Sequence, residues 1–244
     1  MKRASDSPPE GMPKRQRLAP EERRALILDA AQTLFFANGW EEVTVADVVA
    51  EAGISKGGFY HHFTAKEDLL DGIVERFTGE ALDSAQAARA AASGNALARF
   101  NAFLAETYRW KAEQAPQMKF FMEVMLRPGN DILFGRITAA AAAAALPVLL
   151  DIISQGTEDG TFDVPDVTLV GETIMAMSQA RRATLEQSFK VAKEGNLERA
   201  VSILDTRMIA EGALFDRMLG LPQGSVTMTN PKEFRLMLKA IVWC

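Results

Sequence analysis

AGISKGGFYHHFTAK, residues 52–66, is the stretch that decides the fold. It contains no acidic residue. Gly53 stands where a helix would end and where a left-handed backbone costs least, and Ser55 follows at the position that caps the next helix. Cationic, phenolic and imidazole donors then come within a few turns: Lys56, Tyr60 and His61. This composition predicts a helix that meets phosphate.

The preceding stretch, VTVADVVAE at residues 43–51, predicts a first short helix. Its valines fall on one helical face, and Thr44 is placed to cap the first free amides. We expect a helix from about Val45 to Ala52. A short helix, a glycine turn and a second helix form the geometry in which one helix rests over the DNA backbone and the other enters the major groove.

Three segments, GISKG at 53–57, FYHHF at 59–63 and KEDLL at 66–70, resemble the DNA-binding signature of the tetracycline repressor (TetR) family of bacterial transcription regulators. Upstream, an apolar stripe ends at Asn38, Gly39 and Trp40, as the first helix of that family does. The resemblance extends over roughly residues 20–77. The remainder resembles the family only in being helical and of suitable length.

The resemblance implies a role for individual side chains. Four are implied to hold phosphates: Thr44, Tyr60, His61 and Lys66. Four positions at the start of the second helix are implied to lie on the same surface, the last three of them closest to base edges: Ser55, Lys56, Gly57 and Gly58. Gly58 departs from many relatives, in which a side chain projects toward the groove, so the source of base specificity stays open.

Simpler interpretations remain for some of these residues. Tyr60 on its own would more often be a half-buried packing residue. Lys66, followed by Glu67 and Asp68, also fits an ordinary helix start whose acids complement the helix dipole. Phe59 and Phe63 are expected to pack in the core rather than to contact DNA.

Composition limits the possible functions. The 244 residues are 48% hydrophobic, enough for one large or two modest domains, and the net charge of -5 argues against coating nucleic acid by charge alone. Residues 1–19 form a basic, proline-containing arm that we expect to be disordered, either reaching a minor groove or remaining solvated. A single cysteine, Cys244, and two adjacent histidines predict neither a disulfide nor a zinc site.

Membrane and export signals are not apparent in the sequence. No run approaches the roughly 20 apolar residues of a membrane span, and the N-terminus lacks the apolar core of a signal peptide. We therefore expect a cytoplasmic protein that has no membrane partner and no cofactor.

Aromatic and methionine residues recur at helical spacing after residue 77. Any one of them is more often plain core than pocket, but the family commonly encloses a ligand cavity between these helices. The resemblance therefore implies a cavity for a mostly apolar small molecule, lined by Phe100, Phe103, Tyr108, Trp110, Met118, Phe121, Met122, Met125 and Phe134. Arg109, Lys111 and Glu123 are unranked candidates for a polar anchor.

Two late amphipathic helices, near 166–188 and 197–219, resemble the dimerisation pair of the family, although intrachain core would explain the same stripes. The first is expected to run on past Arg182. The predicted fold is all-α. It comprises the arm at 1–19, a three-helix helix-turn-helix domain at 20–66, and a helical ligand-binding and dimerisation domain at 67–244.

The predicted function is a sequence-specific transcriptional regulator, most simply a repressor that binds a palindromic operator in double-stranded DNA as a homodimer and is released by a ligand. Two other classes are weighed against it. A DNA-architectural protein would bind without sequence choice. An enzyme is disfavoured because the chain has no phosphate-binding glycine loop, no nucleophile elbow and no metal cluster.

Overall fold

The computed structural model describes residues 19–127 and 129–243, so the predictions for the basic arm and for Cys244 lie outside it. Within these ranges the chain forms eleven helices and no strand, as the all-α prediction requires. The helices are α1 (Pro20–Asn38), α2 (Val45–Glu51), α3 (Lys56–Tyr60), α4 (Lys66–Ala91), α5 (Ala96–Glu113), α6 (Ala115–Met125), α7 (Asp131–Glu158), α8 (Val167–Gln179), α9 (Arg182–Lys193), α10 (Leu197–Met218) and α11 (Pro231–Trp243).

The first three helices have the boundaries that their capping residues dictate. The Thr44 hydroxyl accepts a hydrogen bond from the amide of Asp47, whose carboxylate accepts the Thr44 amide in return, at 3.3 and 2.8 Å. Gly53 turns the chain with φ at 60°. The Ser55 hydroxyl accepts from the amide of Gly58 at 3.1 Å and so starts α3. The predicted helix, turn and helix are confirmed.

The core of the three-helix unit continues into the rest of the molecule. Phe35 of α1 and Phe59 of α3 are fully buried, together with Leu69 and Leu70 from the first turns of α4. The ring of Phe35 also stacks on Phe120 of α6, with the centroids 6.0 Å apart. One apolar cluster therefore joins the helix-turn-helix to α4, α6 and α7.

A second apolar cluster lies between the later helices. It joins α4 and α5 to α7, α8, α9, α10 and α11. The last helix, α11, was not predicted from the sequence; it buries Phe234 and Leu238. It packs mainly on α10 and α6.

The predicted continuous helix past Arg182 is wrong. The chain instead leaves α8 after Gln179 and begins α9 at Arg182. The Arg181 amide donates a hydrogen bond to the Ser178 carbonyl, three residues earlier. This is the tighter 3₁₀-type turn with which many helices end. The Arg181 side chain is held by Glu211 of α10, with Nε 2.7 Å from Oε2, which keeps this residue at the break.

One described helix, α7, is long and apolar enough to cross a membrane by length and composition alone. The sequence prediction that no run approaches a membrane span is therefore wrong on that criterion. Only 22% of the apolar stretch of α7 is buried. In the structure α7 packs against α4 and α8, and Ala141, Ala142 and Ala145 line a cavity between the helices, whereas Ile132, Ala139 and Ala143 are exposed.

Two glycines of α7 provide a matched test of the packing at its C-terminal end. A Cβ at Gly156 would collide with the buried ring of Phe162, whereas a Cβ at Gly135 would meet nothing within 4 Å. We expect Gly156→Ala to lower the free energy of unfolding by about 1–3 kcal/mol. Gly135→Ala should raise it by up to ~1 kcal/mol through helix propensity. Urea unfolding measures both, and equal changes would contradict the packing described.

Candidate DNA-binding face and ligand cavity

The predicted DNA-contact residues around α3 lie on one exposed face. Ser55, Lys56, Gly57, Tyr60 and His61 are all exposed, and the Lys56 ammonium lies 6.0 Å from the centroid of the Tyr60 ring. Behind this face the chain buries the two phenylalanines expected to be core, Phe59 and Phe63. The face therefore presents a cation, a phenol and an imidazole on a rigid apolar base.

Neither glycine of α3 is required by packing. A Cβ at Gly57 would meet nothing within 4 Å, and one at Gly58 would approach only Ser55 Oγ at 3.3 Å and Ile54 Cβ at 3.9 Å. Their effect is to leave the α3 backbone uncovered at the surface. This geometry is compatible with the expected close approach to base edges, which stays a prediction.

Thr44 is exposed, but its hydroxyl already has partners. It donates to Asp47 Oδ2 at 2.7 Å as well as accepting the Asp47 amide. The hydrogen bonds from Thr44 lower the pKa of Asp47, so this carboxylate stays charged beside the hydroxyl. The structure gives Thr44 a helix-capping role, and its phosphate contact remains a prediction.

The Lys66 ammonium is also hydrogen-bonded within the protein. Its ammonium donates to the carbonyls of Trp40 at 2.6 Å and Val43 at 2.9 Å, and lies 4.3 Å from the centroid of the Trp40 ring. Burial lowers its pKa, against the opposing effect of Glu41. Two of its three N–H donors are thus used to tie the first turn of α4 to the loop before α2. The phosphate contact expected of Lys66 stays untested and has one donor left to it.

One carboxylate joins the N-terminus of α4 both to the turn that precedes it and to α7. Asp68 Oδ2 accepts the amides of Thr64 at 2.8 Å and Ala65 at 3.2 Å, while Arg136 of α7 donates to Asp68 Oδ1 at 3.0 Å. The same guanidinium donates to Asp71, with Nε 3.0 Å from Oδ1. The Thr64 hydroxyl bond chiefly lowers the pKa of Asp68, to about 2. Sequence reasoning missed this cluster because Arg136 lies 65 residues from Asp71 and 68 from Asp68.

A cavity of about 320 Å³ lies between α4, α5, α6, α7 and α8. Its wall includes most of the predicted pocket residues: Phe100, Phe103, Tyr108, Met118, Phe121, Met122 and Met125. It also includes residues that sequence reasoning did not select, among them Phe77, Thr78, Thr107, Ile137, Thr138 and the alanine tract of α7. The alanine tract was not selected because small residues occur both in cavity walls and where two helices pack closely, and the sequence does not distinguish the two.

Two predicted pocket residues do not line this cavity. Trp110 packs behind the wall, against the ring of Phe77, with the centroids 4.6 Å apart. Phe134 lies under the guanidinium of Arg182, 4.6 Å from its carbon, and joins the cluster of the helix-turn-helix side. Both are apolar residues at helical spacing, but their side chains point away from the cavity. Spacing alone does not predict which way an apolar helix face points.

Among the proposed polar anchors, only Lys111 faces the cavity. Arg109 turns outward to Glu106 and Glu113, at 2.6 and 2.7 Å, and Glu123 is exposed. Burial, with a smaller effect of nearby Arg181, lowers the pKa of Lys111 from 10.5 to about 8. The cavity is therefore apolar with one cationic end. In the described part of the chain no group of three His, Cys, Asp or Glu side chains is placed to hold a metal ion.

Substitution of the two lysines at the ends of the DNA-binding face should have unequal effects on stability. Lys66→Met should lower the free energy of unfolding by about 1–3 kcal/mol, because it leaves two carbonyls without their charged donor. Lys56→Met should change it by less than about 0.5 kcal/mol, since Lys56 is exposed. Urea unfolding of both variants checks this. Equal stability would mean that the Lys66 ammonium does not hold the α1–α2 loop.

Comparison with known proteins agrees with this geometry. Residues 27–73 match the model of the bacterial regulatory proteins of the tetR family. The HTH-type transcriptional repressor KstR2 of Rhodococcus jostii is 46% identical over 55 residues, which are 22% of this chain and 27% of that protein. The chain thus matches only about a quarter of the length of this relative.

Solved structures match over much more of the chain. A putative TetR-family regulator from Syntrophomonas wolfei covers 78% of this chain and 94% of its own, with a TM-score of 0.55 at 20% identity. RolR in complex with resorcinol covers 90% and 94%, with a TM-score of 0.54 at 17% identity. At these identities the likeness concerns the fold. The helix-turn-helix segment of the chain, residues 27–73, is that of the bacterial regulatory proteins of the tetR family.

Proposed function

We propose that the chain is a transcriptional repressor that binds a palindromic operator as a homodimer and releases it when a mostly apolar small molecule fills the cavity. The observation that carries this proposal is the position of α4. Its first turns pack in the core of the helix-turn-helix, and Val74, Phe77 and Thr78 on the same helix line the cavity. One rigid element therefore touches both the DNA-reading unit and the ligand site.

DNA binding in this proposal is local, since the chain carries a net charge of -5. The exposed Lys56, Tyr60 and His61 offer donors from α3 and the residue after it. Exposed apolar side chains elsewhere support a dimer, namely Leu169 of α8 and Ile209 and Leu214 of α10. Pairing of α8 and α10 with the same helices of a second copy would cover them and set the two α3 helices roughly 34–36 Å apart.

Release follows from the junction between α7 and α4. Ile137 and Thr138 of α7 line the cavity, and the adjacent Arg136 holds Asp68 and Asp71. A ligand that fits the cavity better after α7 moves will carry the first turns of α4 with it. The shift is limited by the difference in ligand affinity between the two arrangements. A coupling of about 3 kcal/mol would lower operator affinity about 150-fold.

Two relatives support the repressor assignment and the small ligand. KstR2 is named as a repressor, and RolR is described with resorcinol, a small aromatic molecule. A repressor acts where the chromosome lies, which places the protein in the cytoplasm. The architectural alternative differs in one observable property, because it would bind all sequences alike.

Selection from fragmented genomic DNA of the source organism tests the proposal. Sequencing of the fragments retained at moderate salt should reveal an enriched inverted repeat. On that repeat, Lys56→Met should reduce the slope of log affinity against log salt by about 2 for the dimer. Lys190→Met, which removes an exposed charge from α9, should leave the slope unchanged. Uniform retention of fragments would establish the architectural alternative instead.

The junction is tested by Arg136→Met. With an inducer found by operator release, this variant should still bind the inducer, while the inducer's effect on operator affinity shrinks roughly 2- to 30-fold. Arg89→Met is the matched control, because Arg89 also joins α4 to α7, through Asp151 at 2.8 Å, but at the far end of α4. Gel-shift titrations with and without inducer measure both. Equal losses in the two variants would refute a specific role of Arg136.

A further inference from the structure

One end of the cavity is polar and unbalanced in charge. Tyr108 and Lys111 stand three residues apart on α5 and so share a helical face, and Arg181 closes the same cavity from the break between α8 and α9. The remaining wall is dominated by phenylalanine, methionine, leucine and alanine side chains. Four hydroxyl residues also line the wall, and those of Thr107 and Thr138 donate to carbonyls of their own helices, so the charged groups are confined to this one end.

The partners of these groups leave an excess of positive charge. Glu211 of α10 is bound by both Arg181, whose Nε lies 2.7 Å from Oε2, and Arg207, whose Nε lies 2.6 Å from Oε1. With Lys111 this makes three cationic side chains and one carboxylate. Glu233 of α11 is half-buried, and its pKa is raised by burial and influenced by Arg109 and Glu106 of α5 rather than by Lys111.

Among the described residues no carboxylate acts on the Lys111 ammonium, whose pKa is affected only by burial and by Arg181. The Tyr108 hydroxyl donates only to a thioether, Met208 Sδ, at 3.6 Å, which is a weak acceptor. Lys111 is half-buried, and withdrawing an ammonium from water without a counter-charge is costly, so its pKa is lowered accordingly. A lysine kept in this position at a cost to stability is explained if a ligand supplies the missing negative group.

We infer that the cavity accepts an apolar molecule ending in a carboxylate, whose oxygens accept hydrogen bonds from the Lys111 ammonium and the Tyr108 hydroxyl. Its apolar body lies among the rings and methionines of α5 and α6. Arg181, which also lines the cavity, is bound to Glu211 and adds positive potential at this end. This inference rests on the proposed ligand-responsive function and specifies its ligand class. The volume of about 320 Å³ is at the small end of ligand pockets, which suits a short acyl or single-ring acid.

Calorimetric titration of the full chain without DNA tests the inference. The probes are two matched pairs, decanoate with decanamide and cinnamate with cinnamamide, which differ in charge at nearly constant shape. At pH 7 at least one acid should bind roughly 10- to 100-fold more tightly than its amide, the difference expected for a charged hydrogen bond. Lys111→Met should abolish that preference while leaving amide affinity nearly unchanged.

Two further variants separate the site from general effects. Tyr108→Phe should weaken acid binding about 2- to 10-fold, as expected for a neutral hydrogen bond. Lys190→Met removes the same charge from an exposed position and should leave the preference intact. Lys111→Met should fold at least as stably as the original chain, because it removes a half-buried charge that has no counter-charge and keeps the apolar stem. If it nevertheless failed to fold, Tyr108→Phe would still decide the test.

The pH dependence gives an independent readout. Because the pKa of Lys111 is about 8, acid affinity should fall as the pH rises from 7 to above 8, while amide affinity stays constant. The other ionisable groups at this end do not produce that change. Burial raises the pKa of Tyr108, and against the effect of burial the hydrogen bond to Glu211 raises the pKa of Arg181.

The possible outcomes distinguish this inference from the proposed function. Equal affinity for acids and amides would overturn the anion site and leave an apolar inducer cavity in place. Acid preference that survives in Lys111→Met would also overturn it. If neither acids nor amides bind, the inference fails, and the selection of operator DNA still decides independently whether the chain is a sequence-specific regulator.

Discussion

The carboxylate of Asp68 is the constraint on which the arrangement of the molecule depends. It accepts hydrogen bonds from the amides of Thr64 and Ala65, which directly precede α4, and from the guanidinium of Arg136 on α7. Because its pKa is about 2, it remains charged across the whole physiological range. The first turn of α4 is therefore fixed at once to the helix-turn-helix that precedes it and to the helix that lines the cavity.

This constraint explains why the two functional regions are not independent. Lys66 ties the same turn of α4 to the carbonyls of Trp40 and Val43, and Leu69 and Leu70 complete the core beneath α3. About one turn further along α4, Val74 reaches the cavity. Any rearrangement of α7 that the ligand favours must break the Arg136 contacts or carry the reading unit with it. In the proposed switch the Arg136 contacts persist and the reading unit moves with α7.

The sequence predicts local features well because their causes are local. Thr44, Gly53 and Ser55 act within three or four residues, so the helix-turn-helix was identifiable from capping and turn chemistry. The identity of most aromatic and methionine residues in the cavity wall was also predictable, since α5 and α6 are amphipathic. Their direction was not, and Trp110 and Phe134 turn to other neighbours.

The features that needed the structure are those made by distant pairs. Arg181 and Glu211 are 30 residues apart, and their contact explains the break before α9 that periodicity did not indicate. Lys111 was one of three equivalent candidates until the structure turned Arg109 and Glu123 away from the cavity. A stripe of apolar spacing records that a helix is buried on one side. The spacing does not indicate whether that side packs against another helix, lines a cavity or contacts solvent.

The central claim, that filling the cavity moves the DNA-reading helices through α4, is tested most directly by spin-label distances within the dimer. Labels on Glu51→Cys, an exposed residue at the end of α2, in a Cys244→Ser chain report the separation of the two reading units. We expect one main distance that shifts when decanoate saturates the cavity, and a smaller shift in Arg136→Met with the cavity equally filled. An unchanged distance in the original chain, with decanoate shown to be bound, would contradict the account.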